Sequence, residues 1–273
     1  MAQKTWLITG CSRGFGREWA EAALARGDRV AATARDVDTL SELVDSYGDA
    51  VLALELDVDD RAADFAAVAR AHEHFGRLDV VVNNAGYGLF GMIEEVSEEQ
   101  ARAQLETNLF GALWVTQAAL PYLREQRSGH IIQVSSIGGI VAFAGVGLYH
   151  ASKWGLEGFS EALSLEVAEF GIHVTLIEPG GFDTDWSTSS SKRAEPIDAY
   201  EDARRQMAER RKHLPQGKAG ATGAAILQIV DAEPPPLRVF LGKPPLGIAK
   251  ERYEQRLQTW EEWNELSVAA QGD

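Results

Sequence analysis

The chain of 273 residues holds a single cysteine, Cys11. No internal disulfide can staple it, and a reducing compartment, the cytoplasm, is the expected setting. Cations are also scarce: 26 Lys and Arg against 41 Asp and Glu leave a formal charge of −15. That balance disfavours nucleic acid and anionic membrane as partners. No secretory leader is legible, because Trp6-Leu7-Ile8 is too short for a signal core and a glycine-rich turn follows at once. Residues 128–152 contain no Lys, Arg, Asp or Glu, yet Gln133, Ser135, Ser136 and five glycines would make this stretch a poor membrane helix. It reads instead as a buried strand, an active-site loop and a helix start. No metal site is expected: His72 and His74 flank Glu73, but a separation of two puts them on different helix faces.

What is present is alternation. Apolar runs at 5–9, 29–34, 51–56, 79–83, 131–135, 173–177 and 238–241 predict seven strands. Several are apolar on consecutive residues, such as Val80-Val81-Val82, the mark of strands covered on both faces of a parallel sheet. Helical patterns at 14–26, 37–47, 61–75, 97–126 and 149–170 lie between them. Ser97 and Gln100 form a plausible capping box at the start of one of these. The order predicts an α/β fold, a doubly wound parallel sheet with helices on both faces. No repeat or linker divides it. Residues 185–220 are polar and follow the sixth strand, at the sheet edge where ligands bind, so they are a candidate lid. Tyr253, Leu257 and Trp260 recur at helical spacing in a C-terminal extension, 243–273. That helix should pack on the body or on a neighbouring subunit, the body being favoured.

Gly10, Gly14 and Gly16 sit between the first strand and the first helix. Backbone N–H groups can approach a phosphate closely there, and the helix N-terminus adds partial positive charge. Cys11 lies inside this loop, where it is a tolerated small residue or one whose oxidation would crowd a phosphate. At the end of the second strand, Ala34 stands where an acid would bind a ribose diol, and Arg35 follows. Arg13 and Arg35 could clamp a 2′-phosphate, favouring NADP(H) over NAD(H). Asp36 and Asp38 argue the other way if the strand ends later. Asp57 either contacts adenine or caps its own turn.

Ser136 ends the fifth strand, and Tyr149 and Lys153 follow in the run Tyr149-His150-Ala151-Ser152-Lys153. Downstream of a cofactor loop, this set reads as carbonyl–alcohol redox chemistry. Hydride addition to a ketone needs a proton donor, here Tyr149. Lowering a phenol from about 10 to near 7 takes roughly 4 kcal/mol. A cation at ~4 Å supplies about that much at an effective dielectric near 20. Lys153, one helical turn on, is the expected cation. Ser136 would hydrogen-bond the substrate oxygen. Phe143, Leu148, Trp154, Phe182 and Trp186 are candidates for an apolar substrate pocket.

These motifs together resemble the short-chain dehydrogenase/reductase family over roughly residues 4–185. The resemblance rests on the glycine loop, Asp57, Asn83-Asn84-Ala85-Gly86, Asn108, Ser136, Tyr149, Lys153 and Pro179-Gly180 with Thr184. It implies a single-domain, Rossmann-like fold of about seven strands. It implies an NADP-dependent dehydrogenase or reductase acting on a small carbonyl or alcohol substrate, commonly as a homodimer or homotetramer. Asn108, Ser136, Tyr149 and Lys153 would be catalytic, with Asn108 holding a relay water and Lys153 also binding the nicotinamide ribose. The cofactor would be held by Gly10, Ser12, Arg13, Gly14, Phe15, Gly16, Arg35, Asp57, Val58, Asn84, Ala85, Gly86, Tyr149, Lys153, Pro179, Gly180 and Thr184. Alternatives within that resemblance are an epimerase, dehydratase or enoyl reductase, or a non-catalytic NADP sensor.

Overall fold

A computed structural model describes residues 2–184, 186, 190–212 and 214–272. Its strands are β1 (Thr5–Ile8), β2 (Arg29–Ala34), β3 (Val51–Glu55), β4 (Val80–Asn83), β5 (Leu89–Phe90), β6 (Gly129–Val134), β7 (Ile172–Pro179), β8 (Lys192–Arg193) and β9 (Arg238–Leu241). The helices are α1 (Gly14–Arg26), α2 (Ser41–Tyr47), α3 (Arg61–Phe75), α4 (Glu98–Leu105), α5 (Ala112–Gln126), α6 (Gly147–Val167), α7 (Glu201–Lys212), α8 (Thr222–Val230), α9 (Pro244–Glu262) and α10 (Asn264–Ala269). Seven strands form one sheet in the order β3-β2-β1-β4-β6-β7-β9, and every pairing is parallel. This is the Rossmann-like, doubly wound architecture.

The consecutive apolar strands are explained by two cores. Trp6, Ile8, Val30, Ala32, Val80 and Val82 point to one face, where they meet Trp19 and Leu24 of α1 and Ile226 and Ile229 of α8. Leu7, Ala31, Val81 and Ile131 point to the other, against Val68 of α3, Leu123 of α5 and Leu163 of α6. Side chains alternate along a strand, so a sheet covered on both faces needs an apolar residue at every position.

The sequence reading differs from the fold in three places. The pattern at 97–126 is not one regular helix: a π-helical turn, Glu106–Gly111, separates α4 from α5. Its Ser97–Gln100 capping box is present, with reciprocal bonds of 3.2 Å. Two short strands, β5 and β8, were not anticipated and pair with each other outside the main sheet. The C-terminal helices lie on the body only in part: Ile248 and Ala249 of α9 pack with Ile140, Val141 and Phe240, and the rest stays uncovered. In α9 only Pro245 and Ala249 are buried, while Tyr253, Leu257, Trp260 and Trp263 are 43–62% exposed. Further along α9, Arg256 lies over the ring of Trp154 on α6 and over that of Tyr253.

Candidate active site

From β1 the chain winds to β2 on one side, and from β4 it winds to β6 on the other. The reversal opens a crevice beyond the C-terminal ends of β1 and β4, the usual ligand position in such sheets. Every element that carries a candidate residue ends at or borders this crevice.

The glycine loop is fixed by its neighbour across the crevice floor. The Asn84 amide donates to the Thr9 and Gly10 carbonyls at 2.9 and 3.1 Å. The Thr9 hydroxyl accepts from the N–H groups of Asn84 and Ala85, both at 3.0 Å. Gly10 and Gly14 have φ of 71° and 61°, which a side chain rarely adopts. Gly16 serves packing: a Cβ there would run into the Gly10 carbonyl and, at 2.5 Å, the Asn84 amide nitrogen. A Cβ on Gly14 would come within 3.9 Å of Thr184, so Thr184 faces the loop.

Several predicted cofactor residues have side chains committed elsewhere. Phe15 stacks on Trp19 at 5.4 Å and meets Phe182 edge-on at 5.1 Å, leaving only its backbone for a ligand. The Asn84 side chain is likewise consumed by the loop. Asp57 accepts from the Asp59 N–H at 3.2 Å, as the turn cap anticipated in its alternative reading. Val58 is buried beneath Gly111. Gly86 lies beside Asn108 and Lys153, Pro179 ends β7, and the Gly180 N–H donates to Leu241 at 2.9 Å. Ser12, Arg13 and Arg35 are exposed at the rim, with β2 joined to the loop by the Cys11 N–H bond to Thr33 at 2.7 Å. Asp36 accepts from the Asp38 N–H at 3.1 Å and so caps the next turn. Cys11 is fully buried, donates its S–H to Ile8 and is pushed up to about 12 by burial, which removes the reactive thiolate that an oxidation switch would need.

The proposed catalytic residues converge. Tyr149 and Lys153 share the buried face of α6, and the Lys153 ammonium lies 5.9 Å from the Tyr149 ring centre. Lys153 donates to the Val134 carbonyl at 2.7 Å. The Ser136 side chain lies close enough to the Tyr149 phenol to act on its titration and accepts from the Gly138 N–H at 2.9 Å. Asn108 is set into the site by the π-helical turn, a common device at functional sites. Its side chain bridges the Tyr87 backbone, accepting from N–H at 3.0 Å and donating to the carbonyl at 2.9 Å, and it reaches Ser152 at 3.3 Å. That side chain is therefore a brace, and a relay water would need another group of this residue.

One electrostatic expectation is corrected. Burial pushes the Tyr149 phenol up to about 12, with the Ser136 hydrogen bond opposing, instead of down toward neutrality. Burial also brings Lys153 down to about 8, with Glu157 opposing. The lysine stays mostly protonated at neutral pH, but its ammonium is turned to the Val134 carbonyl and does not offset the burial of the phenol in the protein alone.

Two aromatic residues complete the enclosure, Trp186, anticipated as a pocket candidate, and Phe90, which was not. Trp186 lies 4.9 Å from the Tyr149 ring and 5.4 Å from Phe90, forming an aromatic wall over the phenol. It rests on Gly88, where a Cβ would be only 2.7 Å away. Phe90 carried no motif, although its place just after the Asn83–Gly86 turn was a usable signal. The segment from 183 to 216 leaves and rejoins the body at one point, the bridge between Phe182 and Gly217. Asp185, Ser187, Thr188, Ser189 and His213 of the candidate lid lie outside the described residues. Of the other pocket candidates, Phe143 and Trp154 are more than 40% exposed, and Trp154 faces α9 rather than the crevice. Among the described residues no helix is long and apolar enough to cross a membrane.

The comparisons agree with this geometry. A family model described as short chain dehydrogenase matches residues 4–195. Oxidoreductase BOA17 of Botryotinia fuckeliana is 41% identical over 275 residues, covering 98% of this chain and 99% of its own. The crystal structure of a short-chain dehydrogenase from Streptomyces avermitilis superposes with a TM-score of 0.92 at 38% identity, covering 98% of both chains. A short chain dehydrogenase/reductase from Burkholderia phymatum, solved with NAD, shares the fold with a TM-score of 0.82 at 24% identity, covering 94% of this chain and 95% of its own.

Proposed function

The chain belongs to the short chain dehydrogenase family, and from that premise we propose that it interconverts a ketone or aldehyde and the corresponding alcohol with NADP(H). Membership itself makes it an oxidoreductase acting on CH–OH or carbonyl groups with a nicotinamide dinucleotide. The finer reading is carried by one observation: a buried phenol, Tyr149, beside the Ser136 side chain and on the same helix face as Lys153.

The residues fit a dinucleotide. Gly10 and Gly14 hold positive φ, and no side chain of Arg13 caps the first turn of α1, which also lacks an acid. That leaves a backbone cradle and helix-end N–H groups suited to phosphate. Arg13 and Arg35 on the rim support a 2′-phosphate, and Asp36, being spent as a turn cap, does not compete for the ribose. Gly86, Pro179, Gly180 and Thr184 would border the nicotinamide end.

When bound, the reduced nicotinamide supplies a hydride to the carbonyl carbon. Ser136 would donate to the substrate oxygen. Tyr149 would give that oxygen its phenolic proton as negative charge develops, and a phenol raised to about 12 is fully protonated for this task at neutral pH. Lys153 would orient the ribose and stabilise the phenolate left behind, and Asn108 would hold the Tyr87 turn in place. Phe90, Trp186 and Val146 around Tyr149 suit a bulky apolar substrate. A cytoplasmic homodimer or homotetramer is part of the proposal, with the uncovered face of α9 available to a second copy. So is a single domain with a lid at 185–220 and a helical extension at 243–273.

The test is NADPH consumption over a panel of aromatic, steroid-like and acyl-chain carbonyl compounds. Tyr149→Phe should lower kcat about 1,000-fold. No turnover of any carbonyl, or a variant within tenfold of wild type, overturns the reading. Equal affinity for NADH and NADPH would overturn the NADP preference alone.

A further inference from the structure

We infer that His150 is the positioning residue for Ser136 and for the loop that follows it. The inference rests on the proposed role of Ser136 as the group that polarises the substrate carbonyl. Ser136 leads into Ile137 and then the pair Gly138-Gly139, a stretch whose backbone carries little intrinsic preference. Turn bonds from Gly139 N–H to the Ser136 carbonyl at 2.8 Å and from Val141 N–H to the Ile137 carbonyl at 2.9 Å shape it from within, and His150 braces it from outside.

The imidazole of His150 joins two points of the loop. Nδ1 pairs with the Gly138 carbonyl at 2.8 Å, and Nε2 accepts from the Phe143 N–H at 2.9 Å. A carbonyl only accepts and an amide N–H only donates, so the ring is neutral with its proton on Nδ1. The ring is 5% exposed and sits against Gly138, where a Cβ would come within 2.7 Å of Nδ1. Gly138 therefore has to be glycine for the ring to reach its carbonyl.

Gly138 is also the residue whose N–H donates to the Ser136 oxygen at 2.9 Å. The Gly138 carbonyl shares its peptide plane with the Gly139 N–H, which donates to the Ser136 carbonyl at 2.8 Å, so holding that plane holds the tight turn that also presents the Gly138 N–H. The N–H in turn occupies a lone pair of the Ser136 hydroxyl, leaving the O–H free to donate toward the phenol and the substrate. His150 directly follows Tyr149 on α6, so the first turns of this helix carry both the proton donor and the clamp that aims its partner. His150 itself has no contact with the reacting atoms in this scheme. Its effect passes through Gly138 to Ser136, while Phe143 N–H keeps the outer part of the loop in register.

The test compares His150→Leu with His150→Gln, whose amide keeps a donor and an acceptor. His150→Leu should lower kcat about 100-fold through misplacement of Ser136, with the Kd for NADPH unchanged. His150→Gln should recover most of that loss. Two readouts do not depend on turnover. In the wild type without substrate, nitrogen NMR of the His150 ring should show a proton on Nδ1 and none on Nε2. Amide exchange at Phe143 should be slow in wild type and His150→Gln and fast in His150→Leu. If no carbonyl is turned over but the NMR and exchange signatures hold, the clamp stands and the catalytic reading of the site falls. A charged or Nε2-protonated ring, rapid exchange at Phe143 in wild type, or a Gln variant as impaired as Leu overturns the inference. Should His150→Leu fail to fold, the wild-type ring signature and the Gln variant still decide it.

Discussion

The two flanks of the crevice are held by different kinds of bond. On the β1 and β4 flank, hydrogen bonds from Asn84 and Thr9 to the backbone fix the glycine loop, and the surrounding atoms are largely buried. On the flank formed by residues 186 and 190–205, a two-residue strand pair, the Trp186 ring against Phe90 and Tyr149, and polar side chains at the surface do the holding. The first flank cannot give without breaking buried bonds. The bonds of the second lie outside the seven-stranded sheet, so loosening them would leave that sheet intact. The difference suits a protein that keeps a cofactor cradle rigid and lets substrate pass under a cover.

The sharpest way to break that contrast is at Gly16. Gly16→Val would drive a side chain into the Gly10 carbonyl and the Asn84 amide, both of which are locked by other bonds. The cost should exceed about 3 kcal/mol, read as a large drop in the denaturation midpoint together with loss of dinucleotide binding. A variant that folds and binds like wild type would show the loop to be soft. Next in size is Asn84→Ala, which strips the donors from the Thr9 and Gly10 carbonyls. A loss of about 1–3 kcal/mol is expected, with weaker cofactor binding and a substrate KM close to wild type. An unchanged midpoint would mean that Thr9 alone suffices to hold the loop.

The rigid flank was also the legible one. Val80-Val81-Val82 announces a doubly covered strand because both faces demand apolar residues. The glycines announce the loop because positive φ and close packing exclude a Cβ. Tyr149 and Lys153 were readable because a spacing of four puts them on one helix face. Other features leave no such trace. The π-helical turn at Glu106–Gly111 contains no breaker ahead of its last residue, and a shift in hydrogen-bond partners barely alters the apolar period. Phe15 was assigned to the cofactor by its place in the loop, yet its ring goes to Trp19 and Phe182, which only tertiary packing decides. Lys153 was expected to act on Tyr149, and nothing in the spacing reveals that burial lowers its pKa or that Val134 offers it a carbonyl. The lid proposed at 185–220 rested on position alone, because its latch, the contacts of residues 190–205 with the body, uses residue types common on any surface.

That latch is the smallest and most local place to sharpen the comparison. Glu95 accepts from the Ile197 N–H at 2.9 Å and the Met92 N–H at 2.7 Å and pairs with Arg204, while Tyr200 donates to Glu94 at 2.6 Å. The Ile197 and Met92 N–H groups, then Arg204, hold the Glu95 carboxyl below the ordinary carboxylate range. A depressed folded-state value means that the latch contributes fully above the unfolded carboxylate pKa of about 4.3. It is lost as pH falls through the lowered value, where the folded state must finally take up the proton. Amide exchange across 190–205 should therefore stay slow at pH 7 and quicken in acid before the glycine loop responds. Glu95→Gln should produce the quickened exchange already at pH 7, raising the substrate KM severalfold and leaving the Kd for NADPH in place. If the glycine loop loosened to the same degree in this variant, the two flanks would be one mechanical unit, and the division between a rigid cradle and a movable cover would be wrong.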